Sequence, residues 1–411
     1  MKKFILLSFN ITGMGGGQMY QYNKLKFMKT HGYDTYVINA TPGEVVIKDF
    51  GSIAKILDYP IINVDPRLLS KKILCKNIES LNCKVGGISE NTIIECDGKT
   101  IGLWGEILAS RYQCLSHILI IDERIGSMDN GLLDFFSFKR DNYQLKGLKD
   151  ETYEMIFGRT AKADFYDYKL NIASNNVVQD IDYEFVKEQQ GYYDLKICSI
   201  GRLDKGYIPS LIKEVKHYSK EHSSTKILFG LIGDSSDARI RENIIQQLSG
   251  VNNLRLILYG SVYPIPLRLL NYYDIFISSA GSARVSGNLG IPTITIDARD
   301  YMGIGVFQIT TENTVFRESE ETVPISTLIE YVVANYSDIK SKMHKRDNGD
   351  FEKIYKTHLE YYDSLKIGSY YNFYAVKLGY KRKIEKLLFR ILGTNKYLAL
   401  KKYVFERSYY E

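Results

Sequence analysis

Residues 3–9, KFILLSF, read as a fully buried β-strand, and a glycine-rich turn follows at 13–17. The next stretch places Met19, Tyr22, Leu25 and Met28 at helical spacing. Gly32 ends it, and DTYVINA makes a second strand. Strand, glycine loop, helix, glycine and strand in that order form one βαβ unit, which demands parallel strand pairing with a helix packed across the sheet.

The pattern continues. Residues 60–64, 73–75 and 92–102 give weaker strand signals, 103–114 read as a helix, and HILIIDE at 117–123 reads as another buried strand. Residues 125–165 look helical, and LNIASNNVV at 170–178 reads as the last strand of the first half. The charged stretch 179–194 reads as a linker. Beyond it strands are expected at 195–200, 226–232, 254–258, 274–278 and 293–297, with helices at 208–220, 237–248, 264–272 and 283–289. Residues 326–364 supply closing helices. Alternation of this kind implies a parallel sheet covered on both faces, with ligands bound at the carboxyl ends of the strands. The expected division is a first domain at 1–190, a second at 191–364 and a tail at 365–411.

With 411 residues, 45% apolar and 25% charged, the chain is globular and long enough for two cores. The five cysteines, Cys75, Cys83, Cys96, Cys114 and Cys198, are irregularly spaced with no C-x-x-C pair, which indicates neither a disulfide framework nor a zinc site. The opening apolar run lacks the length and cleavage site of a signal peptide, and no stretch of about 20 apolar residues occurs. A cytoplasmic location is expected. The net charge of +6 is local: residues 371–411 hold ten Lys/Arg against three acids, so the tail is +7 and the remainder −1. A uniformly basic nucleic-acid binder would not be built this way.

Three segments can carry chemistry. In Gly13-Met14-Gly15-Gly16-Gly17-Gln18, glycines let the backbone approach a ligand, and a helix start offers N–H groups to an anion. A ligand-free tight turn has the same appearance. A dinucleotide site would need Gly or Ala at Gln18 or Tyr20, and the second strand ends at Asn39 rather than at an acid. In Ser199-Ile200-Gly201-Arg202-Leu203-Asp204-Lys205-Gly206, Arg and Lys leave the end of a strand, where they suit a departing diphosphate; a solvated charged loop is the alternative. The third, Ser278 to Pro292, runs from a buried strand through small residues into a short helix and Gly-Ile-Pro. Arg284 and Asn288 are possible donors there, and a plain strand-to-helix connection is the alternative.

The order GGGQMY, GRLDKG, GLIGDS, YGSV and YYDIFISSAGS…GIPTITID resembles the GT-B glycosyltransferases, and is most similar to the retaining, family-four group. The resemblance covers residues 1 to about 364. It implies a GT-B α/β fold of two Rossmann-like domains facing a cleft that holds the active site. It further implies a nucleotide-sugar donor, a glycan or lipid-linked acceptor, no cofactor and no metal. The glycine loop would map to Gly15, Gly16 and Gly17 under donor phosphates and sugar. Arg202 and Lys205, beside Gly201, would neutralise the diphosphate, and Ser279, Gly281, Ser282 and Arg284 would contact donor sugar and phosphates. The family's pair of Glu around this helix is missing, since no acid lies between Ile275 and Ile296; Asn288 stands near the second position. Asp122 and Glu123, at a strand's carboxyl end, are candidates on the acceptor side; His117, at the strand's start, fits a structural role. Asp180-Ile181-Asp182 resembles a metal-binding motif of another fold but sits in the linker.

The function expected is transfer of a sugar in bacterial surface polysaccharide assembly. The alternatives are a nucleotide-sugar epimerase of the same fold, or a non-catalytic glycan-binding or scaffolding relative. The tail adds a last expectation. In KRKIEKLLFRIL, residues 381–392, Ile384, Leu387, Leu388, Ile391 and Leu392 fall on one helical stripe with Lys and Arg around it, and further basic residues extend to 405. Such a helix either lies on an anionic membrane surface or packs its stripe on the first domain.

Overall fold

The structure, a computed structural model, describes the chain apart from residues 1, 14, 48, 122–127, 149, 159–169, 173, 175, 236, 347–350, 376–377 and 409–411 and the side chains of 150–151, 375 and 401–408. It forms two compact units. The first comprises Met1–Gly13, Tyr20–Ala173 and Phe351–Glu411; the second comprises Met14–Met19 and Ser174–Asp350.

The first unit carries β1 (Lys3–Ser8), α1 (Gly16–Thr30, whose first turn belongs to the second unit), β2 (Asp34–Asn39), α2 (Phe50–Ile53), β3 (Lys55–Asp58), α3 (Lys71–Lys84), β4 (Thr92–Cys96), α4 (Lys99–Tyr112), β5 (Leu115–Leu119), α5 (Asn130–Asp141), β6 (Leu145–Lys146) and α6 (Asp150–Phe157). Its sheet has the order β3-β2-β1-β4-β5-β6, all parallel, with Ile5 paired to Tyr36 on one side and Ile94 on the other. Helix α4 lies close on the sheet because it has glycine where a side chain would collide: a Cβ on Gly105 would run into Cys96 Sγ, and one on Gly102 would stand 2.7 Å from Ile118. Trp104 on α4 is wholly buried and donates its indole N–H to Val64 O at 2.9 Å.

The second unit carries β7 (Val178–Gln179), β8 (Leu195–Ile200), α7 (Ile208–Glu221), β9 (Ile227–Ile232), α8 (Ala238–Leu248), β10 (Leu254–Gly260), β11 (Ile265–Pro266), α9 (Leu267–Asn271), β12 (Ile275–Ser278), α10 (Gly281–Asn288), β13 (Thr293–Ile296), β14 (Gly303–Val306), α11 (Ile325–Ala334) and α12 (Tyr336–Lys342). The main sheet runs β10-β9-β8-β12-β13-β14, parallel except for β14. Ile197, Phe229, Ile275 and Ile277 pack with Leu211 and Val215 of α7 to form its core. Both sheets reverse their strand order next to the first strand, at β1/β4 and at β8/β12, which opens a crevice at the carboxyl ends.

The strands expected in the second half stand close to where the apolar runs place them. Elsewhere the pattern misleads. Residues 73–75 lie inside α3, which Ser70 starts by accepting from Ile73 N, and whose buried Leu74, Ile78 and Leu81 have helical spacing. Residues 60–63 form a 3₁₀ turn, and the signal at 92–102 divides into β4 and the start of α4.

The division differs from 190/191 and 364/365. Residues 174–194 pack with the second unit: β7 pairs with β11 rather than closing the first sheet, and Tyr272 donates to Gln189 O at 2.6 Å. After residue 350 the chain returns to the first unit as α13 (Phe351–Ser364) and α14 (Tyr380–Ser408), two helical segments joined at a kink at Gly393. Tyr362 of α13 donates to Glu95 Oε2 at 2.7 Å, and Tyr20 of α1 donates to Glu95 Oε1 at 2.8 Å. His117 Nε2 stands 3.2 Å from the same carboxylate, and Lys24 Nζ sits 4.7 Å above the Tyr362 ring. A buried acid thus ties α13 to β4, β5 and α1.

Candidate functional site

The carboxyl ends of β8 and β12 are neighbours in the second sheet, and each continues into one of the segments singled out above. Ile200 N donates to Ser278 Oγ at 3.0 Å, which joins the two segments at their roots. After β8 the chain turns sharply. Gly201 N donates to Ile232 O at 2.9 Å and Lys205 N to Arg202 O at 3.3 Å. Glycine is required on both sides of this crossing, because a Cβ on Gly233 would overlap the Gly201 carbonyl and one on Gly201 would overlap the Tyr207 hydroxyl. Arg202 is exposed and pairs with Asp204 at 3.1 Å. Lys205 is half-buried, with its ammonium 5.7 Å from the Tyr207 ring centre. Burial, and then the neighbouring Arg202 charge, lowers the Lys205 pKa. An anion placed here would oppose both effects.

After β12, Ser279 is buried and donates to Thr314 O at 3.3 Å, and Ala280 N donates to the same carbonyl at 2.6 Å. Ala280 has φ 55° and ψ −135°, a conformation costly for any residue with a Cβ. Its carbonyl accepts from Ala283 N and Arg284 N, so the strained residue initiates α10. Gly281 and Ser282 are half-buried in the first turn. The strap bearing Thr314 is anchored in turn by Asp297, which follows β13. This wholly buried acid lies 2.6 Å from Arg299 and 3.2 Å from Arg317, and accepts from Arg317 N at 2.9 Å. The Arg299 hydrogen bond holds the Asp297 carboxyl well below its ordinary range.

Gly201, Arg202, Lys205, Ser279, Gly281 and Ser282 are therefore gathered on adjoining loops. Arg284 is exposed one turn further along α10. Asn288 is not gathered with them. It ends α10, about 10 Å along the helix from Gly281 at 1.5 Å per residue. There its carbonyl accepts from Arg346 N at 2.8 Å, and its side chain stands 3.5 Å from Gln308 Nε2. Gly16 and Gly17 open α1, and Gly15 stands just before it. Met19 N donates to Gly15 O at 3.0 Å, the first turn carries no acid, and a Cβ on Gly16 would touch Ser174 at 3.6 Å. Asp122 and Glu123 lie outside the described residues. His117 is buried against Glu95, and Asp180 and Asp182 are exposed.

The first unit holds an acid that sequence reading missed. Asp97 follows β4 at the β1/β4 reversal. It accepts from Ser8 Oγ at 2.7 Å, Phe9 N at 3.0 Å and Gln21 Nε2 at 2.9 Å. Burial pushes its pKa up to about 6 despite the Ser8 and Phe9 hydrogen bonds. In sequence it was hidden within the expected strand 92–102; Gly98 after it was the available signal. Among the described residues no three His, Cys, Asp or Glu side chains come together as a metal site.

No family model matches the chain, and no curated protein matches it. Solved structures do. A glycosyltransferase from Rickettsia africae ESF-5 has a TM-score of 0.60 at 14% identity, over 88% of this chain and 98% of that one. Anabaena Alr3699/HepE in complex with UDP and glucose has a TM-score of 0.58 at 13% identity, over 89% of this chain and 100% of that one. A point mutant of S. aureus TarM in complex with Fondaparinux, alpha-GlcNAc-glycerol and UDP has a TM-score of 0.51 at 11% identity, over 89% of this chain and 100% of that one. The fold is GT-B, as the sequence resemblance implies.

Proposed function

We propose that the protein is a glycosyltransferase that moves a sugar from a nucleotide-sugar donor to a glycan or lipid-linked acceptor, in the cytoplasm and in bacterial surface polysaccharide assembly. The observation that carries this reading is the joining of the Arg202–Lys205 turn to the Ser279–Ser282 loop by the Ile200–Ser278 hydrogen bond. It puts two cations and a helix start at the sheet's reversal point, where an anionic donor binds. The neighbours' UDP complexes add support for a nucleotide donor.

In this reading Arg202 and Lys205 hold the diphosphate, whose charge grows as the sugar bond breaks, and catalysis is mostly positioning and electrostatic stabilisation. The first turn of α10 adds N–H donors. Retention of anomeric configuration and independence of metal go with the family-four resemblance. The missing Glu pair means that nucleotide contacts come from elsewhere, and Asn288, held by Gln308 and Arg346, is a poor substitute.

Thermal shift with UDP, GDP and CMP, followed by nucleotide-sugar turnover with the stabilising base, tests the reading. Stabilisation by one nucleotide, lost in Arg202→Ala/Lys205→Ala, is expected. No response to any nucleotide would refute it.

A further inference from the structure

Helix α14 is docked with its charged side inward. Phe389 and Tyr397 are buried in the first unit's core. The residues around them are polar: Arg382 stands 3.4 Å from Asp129, Lys386 donates to Arg67 O at 3.0 Å, and Glu385 accepts from Tyr397. Arg67 completes the dock by pairing with Asp65 at 2.7 Å and Asp129 at 2.9 Å. The aliphatic stripe read from the sequence faces the other way. Ile384 is 46% exposed, Leu387 59%, Leu388 42% and Ile391 70%; of the stripe only Leu392 packs against the core.

At about 100° per residue these four side chains span an arc of roughly 100°. Lys383 and Arg390 fall beside Leu387 at one edge of the arc, and Lys381 falls beside Leu388 at the other. All three cations are exposed, and among the described residues none pairs with a carboxylate. Glu385, the acid in this stretch, is turned inward. Tyr380 at the helix start is also strongly exposed. Apolar centre, cationic edges and an aromatic end are the arrangement of a helix lying in a bilayer interface.

We propose that the outward face of α14 docks on an anionic lipid surface, with Ile384, Leu387, Leu388 and Ile391 entering the headgroup boundary and the flanking cations meeting lipid phosphates. A second copy of the chain fits this face poorly, because apposing two such faces brings cations to cations with no acid between them. No described helix is long and apolar enough to cross a membrane, so the contact is interfacial. The inference does not depend on the transferase reading, since binding to vesicles is measured without donor or acceptor.

The full chain is sedimented with phosphatidylglycerol/phosphatidylcholine vesicles and with phosphatidylcholine alone, at low and high salt. Selective binding to anionic vesicles that weakens with salt is expected. The variant Ile384→Ser/Leu387→Ser/Leu388→Ser/Ile391→Ser should bind at least tenfold less while keeping its melting temperature, because the replaced side chains face solvent. The variant Lys381→Glu/Lys383→Glu/Arg390→Glu should lose binding as well. Truncation after Ser369 is a poorer test, because it also removes Phe373, Phe389 and Tyr397 from the core. Absence of binding by the full chain, or equal binding by the serine variant, overturns the proposal. So does light scattering that shows a dimer in the full chain and a monomer in the serine variant, which would assign the face to a second copy.

Discussion

The backbone N–H of Ile200 and the hydroxyl of Ser278 meet at 3.0 Å, tying the end of β8 to the end of β12. Both groups are buried, so the bond cannot be exchanged for water. Ser278→Ala should cost about 1–3 kcal/mol in urea unfolding, the penalty for stranding a buried donor. It should also weaken nucleotide binding by letting the Arg202 turn drift from the Ser279 loop. Wild-type stability together with wild-type affinity would separate the two loops functionally.

Arg202→Ala/Lys205→Ala should leave the fold intact, because Arg202 is exposed and its pairing with Asp204 is a surface contact. Turnover should fall about a hundredfold or more, the effect of roughly 3 kcal/mol of lost transition-state stabilisation. Initial rates at saturating donor check this.

Asp97 gives a pH dependence of definite sign. Its folded pKa is raised from 3.8 to about 6, so the folded state binds this proton more tightly than the unfolded state does. Stability from this group is therefore present below pH 4 and is lost as pH rises from about 4 to about 6. Asp97→Asn should flatten that part of the stability profile. Denaturant midpoints of both proteins between pH 3 and pH 7 check this.

Glu95 acts in the opposite direction. Burial alone would raise its pKa, but His117 and then Lys24 hold it down. The stability it contributes is present above its ordinary value of 4.5 and is lost as pH falls below that. Glu95→Leu leaves Lys24 and His117 buried without their acid, and should destabilise the protein by about 3–5 kcal/mol. Denaturant midpoints at pH 7 and pH 4 measure both effects; the variant's loss should be smaller at pH 4.

Chelation should not abolish turnover. Full loss in EDTA restored by Mn²⁺ or Mg²⁺ would return attention to the exposed Asp180 and Asp182.

Strands β8, β9, β12 and β13 were legible because each is a continuous apolar run bounded by glycine or a charged turn, the mark of a strand buried on both faces. Helix α3 was not, because Ile73, Leu74 and Cys75 form too short a run to show a period. Arg202 and Lys205 were legible as a motif. Asp97 was not, because its buried hydrogen bonds arise only when β4 lies beside β1 and brings Ser8 to it. The period of α14 was plain in the sequence, but the face turned inward was decided by Arg67, Asp65 and Asp129, which lie far away along the chain.

The return of α13 to the first unit has a consequence for synthesis. Chains emerge from the ribosome N-terminus first, and domains fold as units when their residues are complete. All of the second unit has emerged by residue 350, whereas the first still awaits Tyr355, His358 and Tyr362. Until they arrive, one side of Lys24 and Glu95 faces water. The second unit is thus the one able to finish folding first on the nascent chain, and the half that begins the sequence matures after it.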